Sequence, residues 1–178
     1  VVARYAAAAR VPAAPPPWNP SPGPHDALLV APGSTWATQR WPPGRFAEVA
    51  AGWDGPVVVL GGSGEEGLCA AVAGAVGPRA EAVAGPGFAG VLAALGRGRV
   101  ALGNDAGLAH LAAAAGVPTV VVFGATTAAD GFWDDRCTAV EADVECRPCA
   151  RFGRGACPFG DHRCMDLVPV PAVAAAVR

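Results

Sequence analysis

Lysine and isoleucine are absent from this 178-residue chain, methionine occurs once, and aromatic side chains make up only 7% of it. All thirteen basic residues are therefore arginine, and the net charge is −2 with no basic run or face. That excludes the electrostatic footprint of a nucleic-acid-binding protein, which needs clustered cations against phosphates. No apolar stretch approaches the roughly 20 residues that span a bilayer, so no transmembrane segment is expected. Residues 1–14 lack the basic-then-apolar order of a secretory signal, and a cytosolic setting is the default expectation. The first residue is Val1 and the lone methionine is Met165. This reads either as a piece of a longer protein or as a start codon recorded as valine. The missing lysine and isoleucine, beside abundant Ala, Gly and Pro, read as GC-rich coding bias rather than a physical adaptation.

What is present suffices for one domain with a real core, with or without an extension. Hydrophobic residues make up 52% of the chain, much of it Ala and Val. Residues 1–9 read as the end of a helix. Residues 12–24 hold seven prolines and read as an extended linker. The first 25 residues are thus expected to be a linker, or the end of a missing amino-terminal domain. From residue 26 onward, strand and helix patterns alternate. Strands are expected at 26–31, 56–60, 81–84, 99–102, 119–123 and 138–141. Helices are expected from about 42 to 53, up to 76, and at 88–95, 108–115 and 169–178. Such βα repetition argues for a parallel sheet covered by helices on both faces. The stretch DGFWDD at 130–135 reads as irregular.

Residues 103–118, GNDAGLAHLAAAAGVP, organise the chain. A short apolar strand leads into the turn Asn104-Asp105-Ala106-Gly107, and a helix rich in Ala and Leu follows. Gly116 and Pro118 stop that helix. In open α/β sheets ligands bind at such carboxyl ends of strands, and free N–H groups at a helix start can hold an anion. Two roles are open for Asp105: N-cap of the helix or ligand contact. Similar polar turns follow other strands: Pro32-Gly33-Ser34-Thr35, Gly61-Gly62-Ser63-Gly64-Glu65-Glu66 and Gly124-Ala125-Thr126-Thr127. A glycine-rich turn alone is a weak signal; several on one rim point to a site more strongly than any one would.

Four of the six cysteines fall in one stretch, Cys146-x2-Cys149-x7-Cys157-x6-Cys164. The first pair has the spacing of a metal knuckle, so a structural zinc is one reading and an iron–sulfur cluster another. Four reduced thiols in a loop is the third. His162 is an alternative ligand, and Cys69 and Cys137 are expected in the core.

Together these landmarks resemble the carboxyl-terminal half of glycosyltransferase family 9, the lipopolysaccharide heptosyltransferases. The matching pieces are Pro32-Gly33-Ser34 before Gln39-Arg40-Trp41-Pro42, Leu60-Gly61-Gly62 with Glu65, and the run from Gly103 to Ala114. Gly116-Val117-Pro118-Thr119 and Phe123-Gly124-Ala125-Thr126 continue it. The Cys146…Cys149…Cys157…Cys164-Met165 tail resembles heptosyltransferase II-like members. The resemblance implies a GT-B enzyme in which residues 26–178 form a Rossmann-like α/β domain, with a Cys-rich loop at 146–164. That domain would bind ADP-L-glycero-D-manno-heptose, and a missing domain would bind the lipopolysaccharide inner core and supply the general base. Ser34 and Thr35 would bond the diphosphate, and Glu65 or Glu66 would approach the nucleoside. Asp105 would accept heptose hydroxyls, beside the N–H groups of Ala106 and Gly107, with His110 lining the same pocket. Asn104 and Leu108 of the same motif join the substrate-binding positions.

Two departures stand out. Gln39 occupies the usual place of a lysine that neutralises the leaving diphosphate, a task a neutral amide performs poorly. Arg40 replaces that cation if its side chain turns inward, so Asp105 and Arg40 are the candidate catalytic pair. Ala106 stands where a hydroxyl residue is usual. The family's chemistry requires no metal, which leaves any zinc or iron–sulfur cluster at the cysteines structural. The implied setting is cytoplasmic, including a peripheral place on the inner face of the inner membrane. The chain by itself is expected to be inactive. Two other readings stay open: a catalytically inactive sugar-nucleotide-binding module, and a cysteine-centred metal- or partner-binding module.

Overall fold

The computed structural model describes residues 25–130 and 137–178, with the side chain of Asp130 excepted. The expected helix end at 1–9, the linker at 12–24, and most of the DGFWDD stretch lie outside them. Six parallel strands form one sheet: β1 (Ala27–Ala31), β2 (Val57–Gly61), β3 (Ala80–Ala84), β4 (Gly98–Asn104), β5 (Thr119–Phe123) and β6 (Cys137–Glu141). Their order is β3-β2-β1-β4-β5-β6. The helices are α1 (Pro43–Ala51), α2 (Glu66–Val76), α3 (Gly87–Leu95), α4 (Gly107–Ala114), α5 (Arg163–Asp166) and α6 (Val170–Val177). This is the α/β, Rossmann-like architecture expected from the βα repetition.

The inner strands β1, β2 and β5 are apolar and buried along almost their whole length because both faces are covered, whereas the edge strands β3 and β6 carry exposed Glu81 and Glu141. Alternation divides them between two cores. Leu28, Val30, Val57, Val59, Leu102 and Val122 point to one side, where they meet Phe46 and Val49 of α1, Val72 of α2 and Val173 and Val177 of α6. Ala27, Leu29, Val58, Leu60 and Ala101 point to the other, against Leu95 of α3 and Ala112 of α4. Each fully buried Val or Leu contributes about 1.5–3 kcal/mol relative to exposure. Trp41 and Phe46 meet edge to face, with ring centroids 5.1 Å apart.

The sheet grows from β1 to β3 in one direction and from β4 to β6 in the other. The reversal lies between β1 and β4, whose Ala31 and Gly103 pair in register. The chain therefore departs in opposite directions from the carboxyl ends of these two strands, opening the crevice where ligands bind in such sheets. The turns after β1 and β4 carry Ser34-Thr35 and Asp105-Ala106. Among the described residues, no helix is long and apolar enough to cross a membrane.

Two expectations for the cysteines divide. Cys69 is fully buried, and its thiol is pushed up to about 11 by burial and then by the charges of Glu65 and Glu66. Cys137, expected in the core, is only half-buried. It begins β6, whose position at the sheet edge leaves it less covered than β4 or β5.

Candidate active site

Asn104 closes β4, and its side chain is fully buried. Its Nδ2 donates to the carbonyl of Pro32 at 2.8 Å and to that of Gly33 at 3.4 Å. Its Oδ1 accepts the backbone N–H of Trp41 at 2.9 Å. Asn104 thus binds the turn after β1 to the end of β4, and this work occupies its whole amide. The structure places it behind the site, not on its surface.

Asp105 follows and faces the crevice. Its Oδ2 accepts the Gln39 amide at 2.8 Å and the Thr126 hydroxyl at 2.6 Å. Its Oδ1 lies 3.3 Å from His110 Nε2, one turn into α4. The N-cap of α4 is Ala106, in extended conformation and with no side-chain capping bond. Asp105 is therefore not the cap of α4: its carboxylate engages Gln39, Thr126 and His110. Burial pushes its carboxyl up, but the hydrogen bonds from His110 and Thr126, the His110 charge and the Gln39 amide outweigh that effect. The group is held below its ordinary value. A carboxylate has about four acceptor positions. Gln39, Thr126 and His110 take three, leaving one on Oδ1.

Around this cluster lies a cleft of about 330 Å³ that Ser34, Thr35, Gln39, Asp105, Ala106, Gly107 and His110 all line. Seven of the sequence-predicted residues therefore share one wall system. The Ser34 hydroxyl is 3.4 Å from Gln39 Oε1 and accepts the Trp36 N–H at 3.3 Å. Leu108 is turned toward the apolar side of α4, packed against the second core.

Arg40 and Glu65 line a separate cleft of about 390 Å³, on the other side of the Pro32–Gly33 turn. Arg40 Nε donates to the Ser34 carbonyl at 2.8 Å, and a terminal nitrogen reaches the Thr35 carbonyl at 3.5 Å. Its side chain does not turn toward Asp105, because these two carbonyls hold it along the outer side of the turn. Glu65 accepts the Gly62 N–H at 2.7 Å, and a side chain at Gly33 would run into its carboxylate. Glu66 is exposed, accepts the Gly64 N–H at 3.0 Å, and is thereby held below the usual carboxylate range.

The Cys-rich loop folds over the Asp105 cleft, which the sequence did not disclose. Arg147 anchors it: the guanidinium donates to the carbonyls of Gly124 (2.5 Å), Thr126 (2.9 Å) and Ala142 (3.1 Å), and pairs with Glu141 at 2.6 Å. Arg151, Phe152 and Gly153 then reach the cleft wall beside Trp36, Thr126 and Thr127. Of these, only the loop holding Thr126 and Thr127 drew notice from its sequence. The Arg151 and Arg154 cations between the cysteines were the available signal.

All four cysteines of the loop are free thiols. Burial raises the Cys164 thiol, and the charges of Cys146, Cys149 and Cys157 raise it further. Such an all-sulfur set suits zinc or iron. Yet among the described residues no three His, Cys, Asp or Glu side chains form a group able to hold a metal ion. The arrangement does not fit a ligand sphere among the described residues.

The model of glycosyltransferase family 9 (heptosyltransferase) matches residues 6–155. The chain belongs to this family. It is 32% identical over 130 residues to lipopolysaccharide heptosyltransferase 1 of Pseudomonas aeruginosa, covering 70% of this chain and 36% of that protein. Among solved structures it resembles the E. coli ADP-heptose LPS heptosyltransferase II, with a TM-score of 0.67 and 16% identity. That match covers 98% of this chain and 49% of the other. It also resembles TibC from enterotoxigenic E. coli, an iron-containing dodecameric heptosyltransferase solved with ADP-D-beta-D-heptose. There the TM-score is 0.65 at 19% identity, over 89% of this chain and 46% of that one. These likenesses show the fold, and this glycosyltransferase family 9 chain spans half or less of each of these relatives.

Proposed function

We propose that this chain is the donor-binding, carboxyl-terminal half of an inverting GT-B heptosyltransferase. It would carry heptose from ADP-L-glycero-D-manno-heptose to the lipopolysaccharide inner core. Residues 1–25 would connect it to an acceptor domain that supplies the general base, working on the cytoplasmic side of the inner membrane. The observation that carries this reading is Asp105, a half-buried carboxylate at the β1/β4 reversal that lines the cleft and has one acceptor position beyond those taken by Gln39, Thr126 and His110.

A sugar hydroxyl is a natural partner for that position, since a carboxylate only accepts. The N–H groups of Ala106 and Gly107 at the start of α4 and the hydroxyls of Ser34 and Thr35 suit the diphosphate. Across the Pro32–Gly33 turn, the second cleft offers the Glu65 carboxylate to ribose hydroxyls. In the reaction, the acceptor oxygen bonds to the anomeric carbon as the bond from that carbon to the phosphate oxygen breaks. ADP leaves with the electron pair, and the acceptor proton passes to the base of the other domain. This chain's share is to bind and orient the donor and to stabilise the charge on departing ADP. The neutral Gln39, committed to Asp105, favours a second reading: a sugar-nucleotide-binding module that performs no transfer.

Calorimetric titration with ADP-heptose and with ADP tests the proposal. Hydrogen bonds to charged groups are worth roughly 1.5–3 kcal/mol, so Asp105→Asn should weaken ADP-heptose about tenfold or more while ADP binds nearly as before. Equal ADP-heptose affinities would confine Asp105 to the scaffold, and no binding by the unaltered chain would reject the reading. Transfer assayed with the upstream coding region restored separates the enzyme from the inactive module.

A further inference from the structure

We infer that Arg151, on the loop between Cys149 and Cys157, is the cation that grips the diphosphate of the nucleotide in the Asp105 cleft. The inference rests on the donor-binding reading and adds the residue that makes the cleft hospitable to an anion. A diphosphate is multiply anionic, and the Asp105 carboxylate on the same wall repels it. The cleft needs a compensating positive charge. Gln39 is neutral and donates to Asp105 at 2.8 Å. His110 lies 3.3 Å from the same carboxylate. Arg40 is held outside the cleft by the carbonyls of Ser34 and Thr35. Arg151 lines the cleft, and its guanidinium has no hydrogen-bond or ion-pair partner among the described residues.

The backbone on both sides of Arg151 is fixed to the turns that form the site. The N–H groups of Cys149 and Ala150 both donate to the Ala125 carbonyl, at 3.1 and 3.2 Å. Arg154 N–H donates to the Thr38 hydroxyl at 2.8 Å, and Thr38 N–H returns a bond to the Arg154 carbonyl at 3.2 Å. Between these ties Gly153 lies so close to Trp36 that a side chain there would collide with it. The segment that carries Arg151 is thereby held at the cleft wall, and its exposed guanidinium, with its donors unengaged, is free to grasp phosphate oxygens two at a time in its planar fork.

The test is calorimetric titration of the whole chain with ADP and AMP at two salt concentrations, for the unaltered protein, Arg151→Gln, Arg151→Lys and Arg154→Gln. Arg151→Gln should lose about tenfold or more of ADP affinity, lose less toward AMP, and show a flatter salt dependence. Arg151→Lys should recover part of the loss, and Arg154→Gln, with the same change in charge on the same loop, should bind like the unaltered chain. Unchanged ADP affinity in Arg151→Gln overturns the inference while leaving the donor-binding reading intact. So does an equal loss in Arg154→Gln, or an equal loss toward ADP and AMP. No binding of either nucleotide by the unaltered chain overturns both.

Discussion

The Gln39 amide donates to Asp105 Oδ2 at 2.8 Å. The pair joins the turn after β1 to the turn after β4, across the reversal of strand order, and both residues line the cleft. The amide is neutral, and with its Nε2 donating to Asp105 it brings no positive charge to a phosphate.

Gln39→Glu should therefore do more harm than Gln39→Ala. Two carboxylates in contact at a largely buried site cannot both ionise without strong repulsion. The pair would retain a proton at pH 7, with its upper titration raised above the ordinary carboxylate value. A raised acid pKa in the folded state means that stability grows as pH falls. Urea unfolding should show a loss of about 1–3 kcal/mol at pH 7.5, much of it recovered at pH 5. A loss independent of pH would mean that position 39 tolerates the charge by moving away.

Asn104→Ala should destabilise the chain by about 2–3 kcal/mol, since it leaves the buried Trp41 N–H and the Pro32 carbonyl without partners. It should also weaken ADP, because the Ser34–Thr35 turn loses its tie to β4. Asn104→Asp should be at least as damaging, as it sets an acceptor against the Pro32 carbonyl. Denaturation midpoints and ADP titrations on both variants check this, and a near-neutral Asn104→Ala would disprove the stapling role.

These relationships differ in how far the sequence discloses them. Strand and helix positions follow from local pattern: the TVVVF run is β5 residue for residue, and Gly116 with Pro118 marks the end of α4. The rim turns follow from polar residues after apolar strands, so Ser34, Asp105, Ala106, Gly107 and His110 could be gathered before any coordinates. Orientation could not. The local residues favour Asp105 as a cap because capping is a local pattern, whereas its partners Gln39 and Thr126 stand 66 and 21 residues away. Arg40 lies beside Gln39 in sequence but on the opposite side of the turn. The Cys-rich stretch signalled metal by its spacing, while its contribution to the cleft depends on Arg147 reaching back to β5 and β6.

Acid should act on the fold through Asp105. Its carboxyl lies below its ordinary value in the folded chain, so it contributes stability above the unfolded-state value of about 3.9. That contribution disappears as pH falls through the depressed folded value. Asp105→Asn has no such proton to gain. The difference in unfolding free energy between the two proteins should thus be steady from pH 7 to 5 and narrow below about pH 4. A constant gap down to pH 2.5 would show that the polar cluster leaves this carboxyl unperturbed.

Removal of metal should leave the fold intact, and removal of Arg147 should not. The loop over the cleft is held in place by the Arg147 guanidinium, whose side chain is 7% exposed and whose partners are three carbonyls and Glu141. The four thiols nearby do not converge as a ligand group among the described residues. Dialysis against a chelator under reducing conditions should therefore leave the melting temperature and ADP affinity where they were. Arg147→Ala should lower stability by about 1.5–3 kcal/mol, the range for hydrogen bonds to a charged group, and weaken ADP by displacing the segment at 149–154. Arg147→Lys should recover little, since an ammonium cannot span several carbonyls from one planar fork. If instead the chelator melts the loop and Arg147→Ala is silent, the cysteines hold the loop through a bound ion, and their sulfurs must close around it when it is present.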